Sequence, residues 1–386
     1  MGVAFVGKVL ITATVQSHIA LFHSGLAAML RANGYEVHVA AYNDLADKDG
    51  LALRHVDRVY EVCFCRSPFS IKNIGAFRQL RRIISENDYD IIHCNTPVGG
   101  ILTRLAARKA RWRGTKVIYT AHGFHFYGGA PLINWLLYYP VERWMAQYTD
   151  VLITINTEDY FRARGFKSGR VECVPGIGIH IDRINEVAVD REQKRKELGI
   201  PADAVVILSV GELINRKNHE LALQALSAIG RGDVHYIICG TGVIEGYLRK
   251  LSSRLRIENQ VSFLGFRKDV IEICKASDIF VFPSLQEGLP VALMEAMACG
   301  LPVVCSRIRG NVDLIEDEEG GYLCPANSVE SFAEAISTLI ERKQLRVVMG
   351  MRNKADIGFF DDMGVMCRLS EIYSLQFSNV GMKTCK

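Results

Sequence analysis

Short, nearly continuous apolar runs alternate with segments of helical periodicity along the whole chain. In the first half the runs are KVLIT (8–12), YEVHVA (35–40), YDIIHC (89–94), KVIYT (116–120), DVLITI (150–155) and VECV (171–174). In the second half they are AVVILSV (204–210), VHYIICG (234–240), VSFLG (261–265), DIFVFPS (278–284) and PVVCS (302–306). A run that is apolar at every position, rather than at alternate ones, fits a strand covered on both faces, as in a parallel sheet. The segments between them, such as FHSGLAAMLRANG and NIGAFRQLRRIISEN, fit crossover helices, and the first is followed by Gly34, a helix stop. The pattern predicts an α/β protein.

Two such βα series are present, with no sequence repeat between them. The stretch PGIGIHIDRINEVAVDREQKRKELGIPADA separates them, its glycines and Pro175 marking a hinge. Two doubly wound domains imply ligand binding at the carboxyl ends of their strands, and a cleft between the two. At 386 residues the chain has the length for two full cores.

Composition narrows the class. With 49% hydrophobic and 23% charged residues the chain is globular rather than disordered. The eleven cysteines never fall at CxxC spacing, which argues for reduced thiols rather than a disulfide framework or a zinc site. No apolar stretch reaches the length of a membrane-spanning helix. The start, MGVAFVGKVLITATVQ, reads as a first buried strand in preference to a signal peptide, and Val6 rules out a myristoylation signal. The expected location is cytoplasmic.

The net charge of +4 is unevenly spread. Residues 70–116 hold ten Lys/Arg, among them Arg78, Arg81, Arg104, Arg108 and Arg111, against Glu86, Asp88 and Asp90. Two readings stand: solvated helix faces, or a surface for anionic lipid headgroups or a phosphate-bearing acceptor. Nucleic acid is disfavoured, since no binding module accompanies the charge.

The most informative segment is PSLQEGLPVALMEAMACGLPVV. Here DIFVFPS is the strand, LQEG the turn and LPVALMEAMACG a helix, with Pro290 suited to its first turn. Unpaired amides from Gly288 to Val291 and the helix dipole make an anion site. Glu287 precedes that site, and Glu295 lies eight residues further on. This segment resembles the glutamate–seven–glutamate motif of retaining GT-B glycosyltransferases, the family of sucrose-synthase-like and bacterial capsule and exopolysaccharide enzymes. The likeness extends over most of the chain up to about residue 350.

The resemblance implies a GT-B fold of two Rossmann-like domains facing across a cleft. Residues 1–185 would form the N-terminal acceptor-side domain and 186–355 the nucleotide-sugar-binding domain. Residues 356–386 would end in a helix crossing back to the first domain. It further implies that Glu295 holds the ribose hydroxyls and that Glu287 contacts the donor sugar. Gly288, Leu289, Pro290 and Val291 would face the diphosphate and sugar. VGELINRKNH (210–219) resembles the family's lysine segment, so Lys217 neutralises the diphosphate. Glu212 stands where the family has arginine, with Arg216 a candidate to supply the charge. In TAHGFHF, His122 and Gly123 match the histidine–glycine pair that approaches the reacting centre, and His125 is a second candidate. In ATVQSHIALFH, Ala13 and Thr14 replace the usual glycines, and Thr14 offers a hydroxyl in compensation. His18 either shapes the acceptor side or packs. Gly265, Phe266 and Arg267 resemble the segment beside the nucleobase.

The strings DKD (47–49) and DYD (88–90) read as structural rather than metal-binding. With Lys217 and the helix terminus screening the diphosphate, no metal or cofactor is called for; the nucleotide-sugar, with UDP favoured, is a substrate. The implied reaction is retaining transfer of a sugar, an N-acetylhexosamine by preference, to a polyprenyl-diphosphate-linked saccharide in bacterial surface polysaccharide synthesis. A peripheral contact with the inner membrane face would involve the basic region and LINWLLYYPVERW (132–144), which reads more readily as core. Two alternatives remain at this point. One is a sugar-nucleotide 2-epimerase, which shares the architecture but not the paired glutamates. The other is a non-catalytic saccharide-binding protein, disfavoured by the presence of Glu287, Glu295, Lys217 and His122.

Overall fold

The computed structural model describes residues 6–46, 48 and 50–376. Asp47 and Asp49 of the DKD string, the Met1–Gly2 start and the end of the C-terminal segment lie outside these. The chain divides into two compact units, residues 1–177 with 363–386, and residues 178–362.

The first unit is a seven-stranded parallel sheet. Its strands are β1 (Gly7–Val15), β2 (Tyr35–Tyr42), β3 (Arg58–Glu61), β4 (Ile91–Asn95), β5 (Lys116–Ala121), β6 (Val151–Thr154) and β7 (Arg170–Cys173). Their order is β3-β2-β1-β4-β5-β6-β7. Successive side chains of β1 point to opposite faces. Leu10 joins a core with Leu80, Ile92 and Tyr119, while Val9 and Ile11 join one with Leu26, Val37 and Ile118. Both faces are therefore covered, which is why the strands read as continuous apolar runs. The FHSGLAAMLRANG segment forms the helix Ser24–Ala32, which a break at His23 separates from a preceding helix, Gln16–Phe22.

The helix Asp362–Ser374 belongs almost entirely to this unit. Val365, Leu369, Ile372 and Tyr373 pack into the same core as β1. Tyr373 also bonds His93 Nδ1 through its hydroxyl at 2.7 Å.

The second unit is a six-stranded parallel sheet: β8 (Val205–Val210), β9 (Val234–Cys239), β10 (Val261–Gly265), β11 (Ile279–Phe282), β12 (Val303–Ser306) and β13 (Gly321–Cys324). The order is β10-β9-β8-β11-β12-β13. Its first boundary lies at 177/178, against the expected 185/186. Residues 178–187 are tied into this unit: Lys275 Nζ donates to the carbonyls of Ile184 (2.6 Å) and Val187 (2.7 Å), and Ile179 bridges to Asp361.

In each sheet the strand order reverses once, between β1 and β4 and between β8 and β11. Adjacent connections leave in opposite directions there, opening a crevice at the carboxyl ends of the strands. Among the described residues no helix is long and apolar enough to cross a membrane.

Candidate functional site

The residues singled out in the sequence fall into two sets, one in each unit. In the second unit β8 and β11 are neighbours in the sheet, so the loops after them meet although some 70 residues separate them. The β8 loop brings Arg216 and Lys217; the β11 loop brings Glu287. Glu287 Oε1 accepts from Lys217 Nζ at 2.7 Å and from Arg216 Nη1 at 3.0 Å. Arg216 Nη1 also donates to the Gln286 carbonyl at 2.7 Å, so this arginine turns onto the turn preceding the helix. Glu212, in the family's arginine position, is exposed. The Lys217 ammonium lies 4.7 Å from the centre of the Phe282 ring, a cation–π contact that holds it over the end of β11.

The turn itself is braced from beneath by the loop after β12. Arg309 Nε donates to the Glu287 carbonyl at 3.0 Å. Gly310 has φ +83°, and a Cβ there would stand 2.4 Å from the Gly288 oxygen, so only glycine allows this approach. The helix runs Val291–Ala298, with Pro290 extended (φ −82°, ψ 116°) at the residue before it rather than inside its first turn. The first amides of the helix have no intrahelical acceptor and open into this corner. Glu295 lies within the helix, where burial pushes its carboxyl up to about 7.

The two nucleobase candidates differ. Phe266 is exposed, whereas Arg267 is engaged by Asp269 through two hydrogen bonds, Nε at 2.7 Å and Nη2 at 2.6 Å. Asp269 also binds Lys194 at 2.6 Å, so Arg267 belongs to a charge network bracing the helix Arg191–Glu197.

In the first unit the loops after β1, β4 and β5 converge, again because these strands are neighbours. Thr14 is buried, and its hydroxyl is committed to Thr96 Oγ1 at 2.7 Å, while its amide donates to the same oxygen at 3.0 Å. Thr96 sits at φ 62°, ψ 151°, a backbone strain of order 1–3 kcal/mol that these bonds help to hold. Gly99 lets the next helix approach: a Cβ there would fall 2.7 Å from Thr96 Oγ1 and 3.0 Å from the Thr14 nitrogen.

His122 follows β5, and its Nε2 lies 3.3 Å from Asn95 Oδ1. His18 and His23 close around it, with ring centres 4.6 and 5.5 Å from that of His122. Burial lowers His122 to about 4, and burial with the repulsion of His122 holds His18 and His23 well below the ordinary histidine range. All three rings are neutral at pH 7. His125 instead stacks on Tyr138 at 4.6 Å.

Beside this loop lies a cavity of about 550 Å3. Its walls include Val98, Ile101, Phe124, Phe126, Leu137 and Val141, with Arg66 and Glu142 among its few charged residues. Glu142 is buried and paired with the fully buried Arg104 at 2.8 Å. Arg104 is therefore not part of a basic surface. Arg111 is likewise held by Asp150 through two bonds of 3.0 Å. The helix Leu132–Met145 is apolar on both sides. Trp135, Tyr138 and Tyr139 pack on the core, while Leu132, Ile133, Leu136, Leu137 and Trp144 are exposed.

Residues 190–356 match the family described as Glycosyl transferases group 1, and residues 24–181 match Glycosyltransferase Family 4. A Bacillus subtilis (strain 168) protein named as glycosyltransferase EpsD is 37% identical over 95% of this chain and 96% of its own length. The chain is a glycosyltransferase. An Escherichia coli relative, UDP-Gal:alpha-D-GlcNAc-diphosphoundecaprenol alpha-1,3-galactosyltransferase, is 31% identical over 76% of this chain and 78% of its own length. The crystal structure of Anabaena HepE with UDP and glucose superimposes with a TM-score of 0.78 at 22% identity, covering 96% of this chain and 100% of that one. Both units of this glycosyltransferase are thus Rossmann-like domains of the GT-B fold.

Arg309, Asn95 and His23 are among the residues of these two clusters that the sequence motifs did not single out, as are Thr96 and Gly310. Arg309 carried a faint signal, an arginine before Gly310 directly after a buried strand. Asn95 and His23 carried none.

Proposed function

We propose that this glycosyltransferase moves a sugar from a UDP-linked donor, an N-acetylhexosamine by preference, onto a polyprenyl-diphosphate-linked saccharide, with retention at the anomeric carbon. The observation that carries the donor half is the Lys217–Glu287–Arg216 cluster at the amino end of the helix Val291–Ala298. Breaking the bond to a diphosphate puts negative charge on the leaving group, and oriented cations and amides stabilise that charge most effectively where water is scarce. Before the donor arrives, Glu287 pairs with both cations and offsets one of their two charges. The diphosphate draws them onto its own oxygens, and the released carboxylate accepts from hydroxyls of the sugar. The site thus exchanges one anion for another and keeps one positive charge to receive it.

Glu295 accepts from the ribose hydroxyls, and His122, neutral at pH 7, orients the sugar rather than carrying a charge. The departing diphosphate oxygen takes the acceptor's proton, so no separate base is required. No metal or cofactor enters this scheme. Retention is supported by the E. coli relative, whose name gives an alpha linkage; with an alpha-configured UDP-sugar that outcome is retention.

The lipid-linked acceptor is supported by the same relative's acceptor, a diphosphoundecaprenol, and by apolar surface in the first unit. The exposed face of the helix Leu132–Met145 and the exposed basic residues Arg78, Arg81 and Arg108 of the same unit suit a peripheral membrane contact at the cytoplasmic face. The deciding experiment is mass spectrometry of a competition among UDP- and GDP-sugars, offered with GlcNAc-diphosphoundecaprenol or a water-soluble glycoside. Transfer from a UDP-sugar to the lipid acceptor is the expected result. Equal transfer to both acceptors would remove the lipid assignment, and a new UDP-sugar isomer without any acceptor would point to an epimerase. Sedimentation with anionic vesicles reads the membrane contact: Leu132→Ser with Leu136→Ser should reduce it, and unchanged sedimentation would discard it.

A further inference from the structure

We propose that His18, His23 and His122 form a binding site for a divalent transition-metal ion of the zinc type, and that filling it inhibits transfer. The inhibitory half rests on the reading of His122 given above; the binding half does not.

One ring nitrogen from each of the three residues lies within 4.8 Å of the others. The ring centres are 4.6, 5.5 and 5.5 Å apart. A tetrahedral ion with bonds of about 2.0–2.1 Å to three imidazoles spaces their ring centres at about 5 Å and the bonded nitrogens at about 3.3 Å. The rings are thus at the right separation, and small rotations bring the nitrogens inward. Three imidazoles leave the fourth position open to water.

The state of the nitrogens points the same way. His18 Nε2 and His23 Nε2 are buried without a hydrogen-bond partner. Polar atoms in that condition are uncommon in folded proteins, because losing water without a replacement is costly. His122 is different: Asn95 Oδ1 can only accept, so the 3.3 Å contact assigns the proton to Nε2 and leaves the lone pair on Nδ1. Metal-bound histidines are commonly oriented in this way, by a carbonyl that accepts from the other ring nitrogen. His93, nearby, is not a ligand, since Tyr373 and Thr120 occupy both of its nitrogens at 2.7 Å.

Inhibition follows from position. A ring drawn onto an ion is no longer free to orient a sugar, and a displacement of about 1 Å at a reacting centre can cost on the order of 10²-fold in rate.

The test uses the full chain with Co2+ as a spectroscopic probe and Zn2+ as inhibitor. Titration with Co2+ should give one equivalent with the visible bands of a tetrahedral site and no thiolate charge-transfer band. The second feature separates this site from the cysteines. His23→Phe and His18→Asn, each checked for folding by thermal melting, should both lose the signal, while His125→Phe keeps it. Zn2+ should slow transfer by roughly tenfold or more, and His23→Phe should be insensitive. A parent chain with no visible spectrum, or folded variants that keep it, would overturn the site. If no donor supports turnover, the transferase reading fails while the Co2+ titration still decides the metal site. If Co2+ binds as described but Zn2+ leaves turnover unchanged, the inhibitory half is wrong.

Discussion

The two clusters solve the problem of burying polar groups in opposite ways. In the second unit the carboxylate of Glu287 is held by two cations at 2.7 and 3.0 Å, and the cluster is satisfied by its own members. In the first unit three imidazoles crowd together, and burial strips them of charge instead of pairing it. The first arrangement suits a place where charge is exchanged with an incoming diphosphate. The second suits a place where shape and neutral hydrogen bonding matter, and where a positive ring would be penalised.

The largest effect should come from breaking the paired side. Lys217→Ala removes the cation assigned above, in the proposed reaction, to the leaving group and leaves Glu287 with Arg216 alone; kcat/KM should fall by about 10²–10³. Steady-state kinetics check this, and a loss below threefold would mean that the pair is only structural. On the neutral side, His122→Ala should lower kcat by on the order of 10²-fold while donor affinity, read by calorimetry, changes little. Equal losses in the two would assign His122 to binding alone.

The smallest effect sharpens the contrast through pH. Glu295 ionises at about 7 in the free protein because burial disfavours its charge. In the proposed complex ribose hydroxyls donate to the carboxylate, so a bound donor would lower that pKa and binding would release a proton. Affinity for a UDP-sugar, whose own phosphates do not titrate here, should fall by up to about tenfold from pH 8 to pH 6. Glu295→Gln should flatten that dependence. The stability effect has the opposite sense: a raised carboxyl pKa weakens the fold increasingly as pH climbs from the ordinary carboxylate range through 7. The same substitution should therefore raise Tm at pH 8 and leave it nearly unchanged at pH 4. A parent affinity that is flat between pH 6 and 8 would remove Glu295 from the ribose.

Most of the fold could be read from the chain because strands buried on both faces carry a signal at every position. The two strands that left no such trace lie at the sheet edges. Strand β3, RVYE, is largely exposed, and β13, GYLC, is only four residues long and follows the acidic stretch EDEEG. Helix Gln16–Phe22 ends at His23 with no glycine or proline to announce it. At the candidate sites, residues tied to a motif were visible, whereas those arriving from another strand were not. Arg309 and Asn95 act through folding rather than through neighbours in sequence. Arg104 looked like one more surface cation in a basic region. Its partner Glu142 was the available clue, a lone acid within the apolar LINWLLYYPVERW that burial obliges to find a cation.

The placement of the helix Asp362–Ser374 has a consequence for the birth of the molecule. The second unit is one unbroken stretch of chain, able to condense as soon as it has left the ribosome. The first unit must wait. Val365, Leu369, Ile372 and Tyr373 complete a core begun at Val9, and the Tyr373–His93 bond closes a loop of 280 residues. Until that helix emerges, the apolar face of β1 and β4 stays open to solvent, so a nascent chain cut before it would hold a finished second unit and an unfinished first.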